Sequence, residues 1–143
     1  VEKIEEVCGG SLRGRRVAVL GVTFKPNTDD MRESPALVIV PALVGAGAEV
    51  RVADPQGRRE GEALLPGVTW CEDAYEAAAE ADAVAILTEW NEFRALDLER
   101  LRQLMRGPGF ADLRNVYEPA DAAAAGFRYV SIGRAPAGIP AEG

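Results

Sequence analysis

The sequence predicts an α/β fold: a three-layer, Rossmann-like, doubly wound and mainly parallel sheet of five to six strands. Three observations carry that expectation. RVAVLGV (16–22), AEVRVAD (48–54) and DAVAILT (82–88) are short β-branched or aliphatic runs, as strands buried on both faces are. Helix-like segments lie between them, and alternation of this kind builds a parallel sheet with right-handed crossovers covering both faces. The chain has 143 residues, enough for one domain around one core.

Taken in order, VEKIEEVCGG reads as the tail of a helix, so residues 1–11 are expected to be a helix end and linker. The strand at 16–22 follows. SPALVIVPALVGAG then begins a helix with Ser34 as N-cap and Pro35 at the first helical position, where its missing N–H costs nothing. Glycines close this helix, and Pro41 inside it predicts a kink. After the strand at 48–54, VTW (68–70) suggests a short edge strand. CEDAYEAAAEA is a helix whose first turn holds Glu72 and Asp73, acids that suit the helix dipole. Beyond the strand at 82–88, DLERLRQLMRG sets Leu98, Leu101, Leu104 and Met105 at helical spacing as a core stripe. LRNVYE (113–118) and FRYVSI (127–132) read as two further strands around a short helix in EPADAAAAG. Residues 134–143, RAPAGIPAEG, read as a loose tail.

Composition removes several functions. The formal charge of −7 offers no net positive field for nucleic acid or an anionic membrane, and the apolar runs are too short to span a bilayer. With no basic-then-apolar leader at the start, a cytoplasmic protein is expected. There is no histidine, so neither a Ser-His-Asp triad nor the commonest metal ligand is available, and no metal site is expected. Cys8 and Cys71 stand apart, without CxxC spacing. Catalytic residues are therefore expected to be absent, and the chain reads as a binding domain.

The common nucleotide motifs are incomplete here. The strand ending at Gly21 and the later Asp54 invite a dinucleotide site, but GVTFKP supplies one glycine and then bulky Phe24 where GxGxxG is needed. Asp54, before Pro55, reads instead as a strand-end turn former. A phosphoacceptor receiver fails as well: Asp29 and Asp30 follow the first strand, but no lysine occurs after Lys25.

What remains is FKPNTDDMRESP (24–35), a connection about twice the usual two to six residues, holding a lysine, an arginine and three acids. It leaves the carboxyl end of the first strand, where doubly wound sheets bind ligands. Lys25 is either a point charge for a phosphate or hydroxyl, or a surface lysine paired with Asp29 or Asp30. Phe24 either stacks on a ring or plugs the core. Arg32 can bind phosphate bidentately, or pair with Glu33 or Asp30. Arg114, after FADL, is either a site cation near the start of the fifth strand or a solvated edge residue. Trp90 and Phe93, in LTEWNEF (87–93), close the core beside the first strand or border the site, and Glu89 lies next to them.

GVTFKPNTDDMRESPAL, VADP, AVAILTEWNEFR and LRNVYEP, in this order, closely resemble the C-terminal domain of the UDP-glucose/GDP-mannose dehydrogenase family over about residues 12–133. TDDMRESP and TEWNEFR look more like the UDP-glucose enzymes of that family. The resemblance implies a UDP-sugar-binding domain at 12–133, part of an NAD-dependent enzyme that oxidises the sugar's C6 alcohol to a carboxylate in two steps. It implies substrate contacts from Phe24, Lys25 and Arg114, and a cofactor contact from Arg32 to NAD held mainly by an N-terminal domain. Asp29 and Asp30 would hold the connection in place. The Arg114 match departs from the family in its flanking glycine pattern, which here is Asp112-Leu113. Neither cysteine lies in the family's glycine-rich cysteine motif, so this chain alone is expected to be inactive. Its implied partners are the UDP-sugar and the N-terminal and central domains of the same enzyme, with a homodimer formed through the central region. The rival reading is a stand-alone, non-catalytic nucleotide-binding or interaction module with the same fold.

Overall fold

The structure, a computed structural model, describes residues 4, 7–8, 11–22, 36–54, 65, 67–88, 93 and 95–131. Its elements are β1 (Arg16–Leu20), α1 (Ala36–Gly45), β2 (Glu49–Ala53), β3 (Val68–Trp70), α2 (Ala74–Ala78), β4 (Ala83–Ile86), α3 (Leu98–Leu104), β5 (Gly109–Asp112), α4 (Pro119–Ala124) and β6 (Arg128–Ser131). The six strands form one sheet in the order β3-β2-β1-β4-β5-β6, every pair parallel. The expected fold class holds, and the short VTW strand lies at an edge.

Side-chain alternation explains the two cores. Val17 and Val19 of β1 point to one face with Ala83 and Ala85 of β4; Ala18 and Leu20 point to the other with Val84 and Ile86. Both sets are buried, which is why these strands read as continuous apolar runs. Val40 and Leu43 of α1 cover the first face, together with Ile4, Val7 and Cys8. On the second face lie α2, α3 and α4, through Ala77, Leu101 and Ala122. Phe110 of β5 adds edge-to-face packing there against Phe127, with ring centroids 5.0 Å apart.

Local chemistry sets the helix ends. At the end of α1 the Ala48 N–H donates to the Leu43 carbonyl and the Gly47 N–H to Val44, with Gly47 at φ +93. That is the two-bond glycine stop expected from the sequence. Pro41 lies inside α1 on its exposed side. The Ser34 and Pro35 start falls outside the described residues. Asp73 lies outside α2 as its N-cap, accepting from the Glu76 N–H at 2.8 Å, so the acid in the first turn is Glu76 rather than Glu72 or Asp73. Asp97 caps α3 in the same way.

Two further expectations are corrected. Residues 113–118 are not a strand: the fifth strand is Gly109–Asp112, and LRNVYE forms the turn that follows it. Asn115 takes φ +53 in that turn, outside any strand conformation. The leucine stripe also loses one member. Leu101 and Met105 are buried, but α3 ends at Leu104, whose side chain is exposed.

Candidate functional site

In this strand order, β1 connects onward toward one side of the sheet and β4 toward the other. A crevice opens where connections diverge in this way, beyond the carboxyl ends of the strands. The residues there are Gly21-Val22 after β1, Leu87-Thr88 after β4, and Leu113-Arg114-Asn115 after β5.

The β1 exit is fixed from both neighbours. The Gly21 N–H donates to the Ala53 carbonyl at 2.8 Å, and the Leu87 N–H donates to the Leu20 carbonyl at 2.9 Å. Gly21 has φ +90, and a Cβ on it would come within 2.5 Å of the Thr88 Cβ. Only glycine lets the β1 and β4 exits close up this far. Asp54, at the end of β2, accepts from the Val22 N–H at 2.7 Å. Asp54 thus ties the exit of β1 to β2, a longer-range task than the local turn expected from the sequence.

The same contacts decide against a dinucleotide site at this point. Gly21, the glycine that would admit a pyrophosphate, is occupied in packing on Thr88, and Asp54, the acid that would meet a ribose, holds Val22. The described residues of this domain do not fit NAD at their own switch point.

Arg114 lies beyond the carboxyl end of β5, not at the start of a strand. The Leu113 N–H donates to the Ile86 carbonyl at 3.1 Å, which seats the turn beside the β4 exit. Asp112, fully buried, accepts from the Arg114 N–H at 3.2 Å, the Tyr117 N–H at 2.8 Å and the Tyr129 hydroxyl at 2.6 Å. Arg114 itself is exposed. Phe24, Lys25, Asp29, Asp30, Arg32, Glu89 and Trp90 lie outside the described residues. Of the two aromatics expected beside the first strand, Phe93 is described, and it is buried in the core. A hollow of about 100 Å³ on this side of the sheet is lined by Asp73, Ala74, Tyr75, Phe93 and Leu96.

Sequence reasoning missed Asp112, Tyr129 and Thr88. An acid closing a mostly apolar strand, two residues before an arginine, is the available signal for the first; nothing in the sequence singles out the other two.

At the opposite edge a hollow of about 140 Å³ lies among Val7, Cys8, Arg15, Asp82, Gly107, Pro108 and Arg128. Asp82 is held there by Arg106, whose Nε and Nη2 reach its carboxylate at 3.1 and 2.5 Å, and by the Arg16 N–H at 2.8 Å. The Arg106 bonds hold its carboxyl below the usual aspartate range. Burial, reinforced by the Asp82 charge, pushes the Cys8 thiol up to about 11, so it stays protonated at neutral pH and is a poor nucleophile.

Comparison with known proteins shows what the chain is similar to. Residues 18–119 match the profile of the UDP-glucose/GDP-mannose dehydrogenase family, UDP binding domain. The chain is 55% identical over 132 residues to a UDP-glucose 6-dehydrogenase of Rhizobium meliloti (strain 1021), covering 92% of this chain and 30% of that protein. Among solved structures, a UDP-glucose dehydrogenase from the archaeon Pyrobaculum islandicum is 39% identical with a TM-score of 0.66, over 76% of this chain and 24% of that one. An NDP-N-acetyl-D-galactosaminuronic acid dehydrogenase from Methanosarcina mazei Go1 is 30% identical with a TM-score of 0.78, over 92% of this chain and 27% of the other. The chain spans about a third of the length of the curated relatives it matches. On the profile match and these identities, the chain belongs to the UDP-glucose/GDP-mannose dehydrogenase family, by that family's UDP binding domain.

Proposed function

We propose that this chain is the C-terminal, UDP-sugar-binding domain of a cytoplasmic, NAD-dependent UDP-glucose 6-dehydrogenase that converts UDP-glucose to UDP-glucuronate. The observation that carries the reading is the match to the family's UDP binding domain over residues 18–119. The 55% identity to an enzyme named for UDP-glucose favours that sugar. The sheet order supports it too, because the long connection after Val22 and the Arg114 turn leave the same edge of the sheet.

Lys25 and Arg114 are assigned to the diphosphate and Phe24 to the nucleotide, with residues 12–133 as the binding unit. A sugar diphosphate carries two negative charges, and charge-assisted bonds strengthen where water is excluded. Binding energy gathered at the nucleotide is then available to orient the sugar's C6. Arg32 is assigned to NAD held mainly by another domain of the same polypeptide, in a homodimer; no role is assigned to nucleic acid or membrane.

The test uses the full-length enzyme. Lys25→Ala and Arg114→Ala are each expected to raise KM for UDP-glucose about tenfold or more, the loss of one charge-assisted hydrogen bond. KM within twofold of the parent for both variants contradicts the reading. The 143-residue chain alone is expected to give no NADH with UDP-glucose and NAD, and turnover by it would contradict the assignment of chemistry to the rest of the enzyme.

A further inference from the structure

Asp112 is a buried carboxylate at the mouth of the candidate site, and its hydrogen bonds go to two backbone N–H groups and a phenol. Burying a charge without a cation is costly, and an apolar side chain would fill the same space more cheaply. The geometry shows what the carboxylate accomplishes instead. Its Oδ1 takes the Arg114 N–H and its Oδ2 takes the Tyr117 N–H, so a single side chain holds the turn at both ends. Within that turn Asn115 is kept at φ +53.

Two tyrosines extend the grip. Tyr129, fully buried on β6, has its hydroxyl 2.6 Å from Asp112 Oδ2 and 2.9 Å from the Tyr117 carbonyl. A phenol has one proton, and the shorter contact to the carboxylate is the charge-assisted one. The Tyr117 hydroxyl donates to the Phe93 carbonyl and accepts from the Leu96 N–H at 3.0 Å. One network therefore runs from β6, through the end of β5, to the chain that follows β4.

We propose that Asp112, seconded by Tyr129 and Tyr117, positions Arg114: the network fixes the turn so that the guanidinium is presented to the diphosphate before the substrate arrives. This rests on the reading of Arg114 as a diphosphate contact. Preorganisation of this kind raises affinity because the turn need not be ordered on binding.

The experiment measures UDP dissociation constants and Tm for full-length enzyme carrying Arg114→Ala, Asp112→Asn, Tyr129→Phe and the Asp112→Asn/Arg114→Ala pair. Asp82→Asn, at the far edge of the sheet, serves as a purely structural control. Arg114→Ala is expected to weaken UDP about tenfold. Asp112→Asn puts an NH2 against a donor and is expected to cost about fivefold, Tyr129→Phe about threefold, with less than about twofold further loss when Asp112→Asn is added to Arg114→Ala. Asp82→Asn is expected to lower Tm and leave UDP affinity unchanged. If Asp112→Asn does not fold, Tyr129→Phe, which keeps the ring in the core, carries the test.

The failures are distinguishable. Arg114→Ala with unchanged affinity overturns the reading of Arg114 and the positioning role with it. Loss in Arg114→Ala but none in Asp112→Asn or Tyr129→Phe overturns positioning alone. A full additional loss in the double variant also overturns it, because Asp112 would then act independently of Arg114.

Discussion

At the amino edge of the sheet, Asp82 meets Arg106 in a two-bond ion pair, with the Arg16 N–H and, at 3.9 Å, Arg15 completing its surroundings. At the carboxyl edge, Asp112 is buried among backbone N–H groups, that of Arg114 included, and the Tyr129 hydroxyl. The difference is instructive. The amino edge uses its arginines to neutralise its own acid, which serves stability. The carboxyl edge uses its acid to shape the turn that carries Arg114. A sheet with an arginine near a buried aspartate at each end thus commits one acid to an ion pair and the other to a turn, and the proposed function gives the diphosphate to the second.

Stability measurements test this contrast. The largest effect is expected from Gly21→Ala, which sets a Cβ against Thr88 at a backbone angle of φ +90. It should cost about 3 kcal/mol or more in urea unfolding. A loss under about 1 kcal/mol would mean that the β1 and β4 exits can part freely.

Asp82→Asn should cost roughly 1–2 kcal/mol near neutral pH, as one of a partly buried, hydrogen-bonded pair. The folded value of Asp82 lies below its ordinary 3.8, chiefly through the Arg106 bonds. Its contribution is therefore complete above about pH 4 and fades as the pH falls through the folded value. The gap between parent and variant should shrink only in that acid range; a gap that widens with acidification would contradict the ion-pair account.

The smallest effect belongs to Glu49→Gln. Its pair with Arg16 measures 2.7 Å, but the glutamate is exposed, so the change should stay within about 0.5 kcal/mol.

The elements legible in the sequence were those whose pattern is repeated by burial. β1 after Arg16 and all of β4 are apolar because both faces are covered, β2 buries Val50, Val52 and Ala53 although Glu49 is exposed and Arg51 half-buried, and the end of α1 follows from its glycines. β5 was misplaced for a physical reason. GFAD has a glycine and an acid among four residues, whereas LRNVYE has the apolar residues of a strand. The Asp112 hydrogen bonds and the left-handed Asn115 outweigh that propensity and fold LRNVYE into a turn. The resemblance names Arg114 as a candidate contact, yet nothing in it names what fixes the Arg114 backbone. Tyr129 lies 17 residues from Asp112, and nothing local announces that they meet. Leu104 fits the spacing of a core stripe, but α3 ends there, and a stripe holds only while the helix does.

The central claim is that the carboxyl edge, and not the amino edge, receives the nucleotide diphosphate. Titrating the ¹⁵N-labelled 143-residue chain with millimolar UDP and following its backbone amides tests this most directly. The account predicts shifts at Val22, Thr88 and Leu113–Asn115, while Glu49, Asp82 and Arg106 stay still. Shifts gathered around Asp82 and Arg106, or no shifts anywhere, would contradict it.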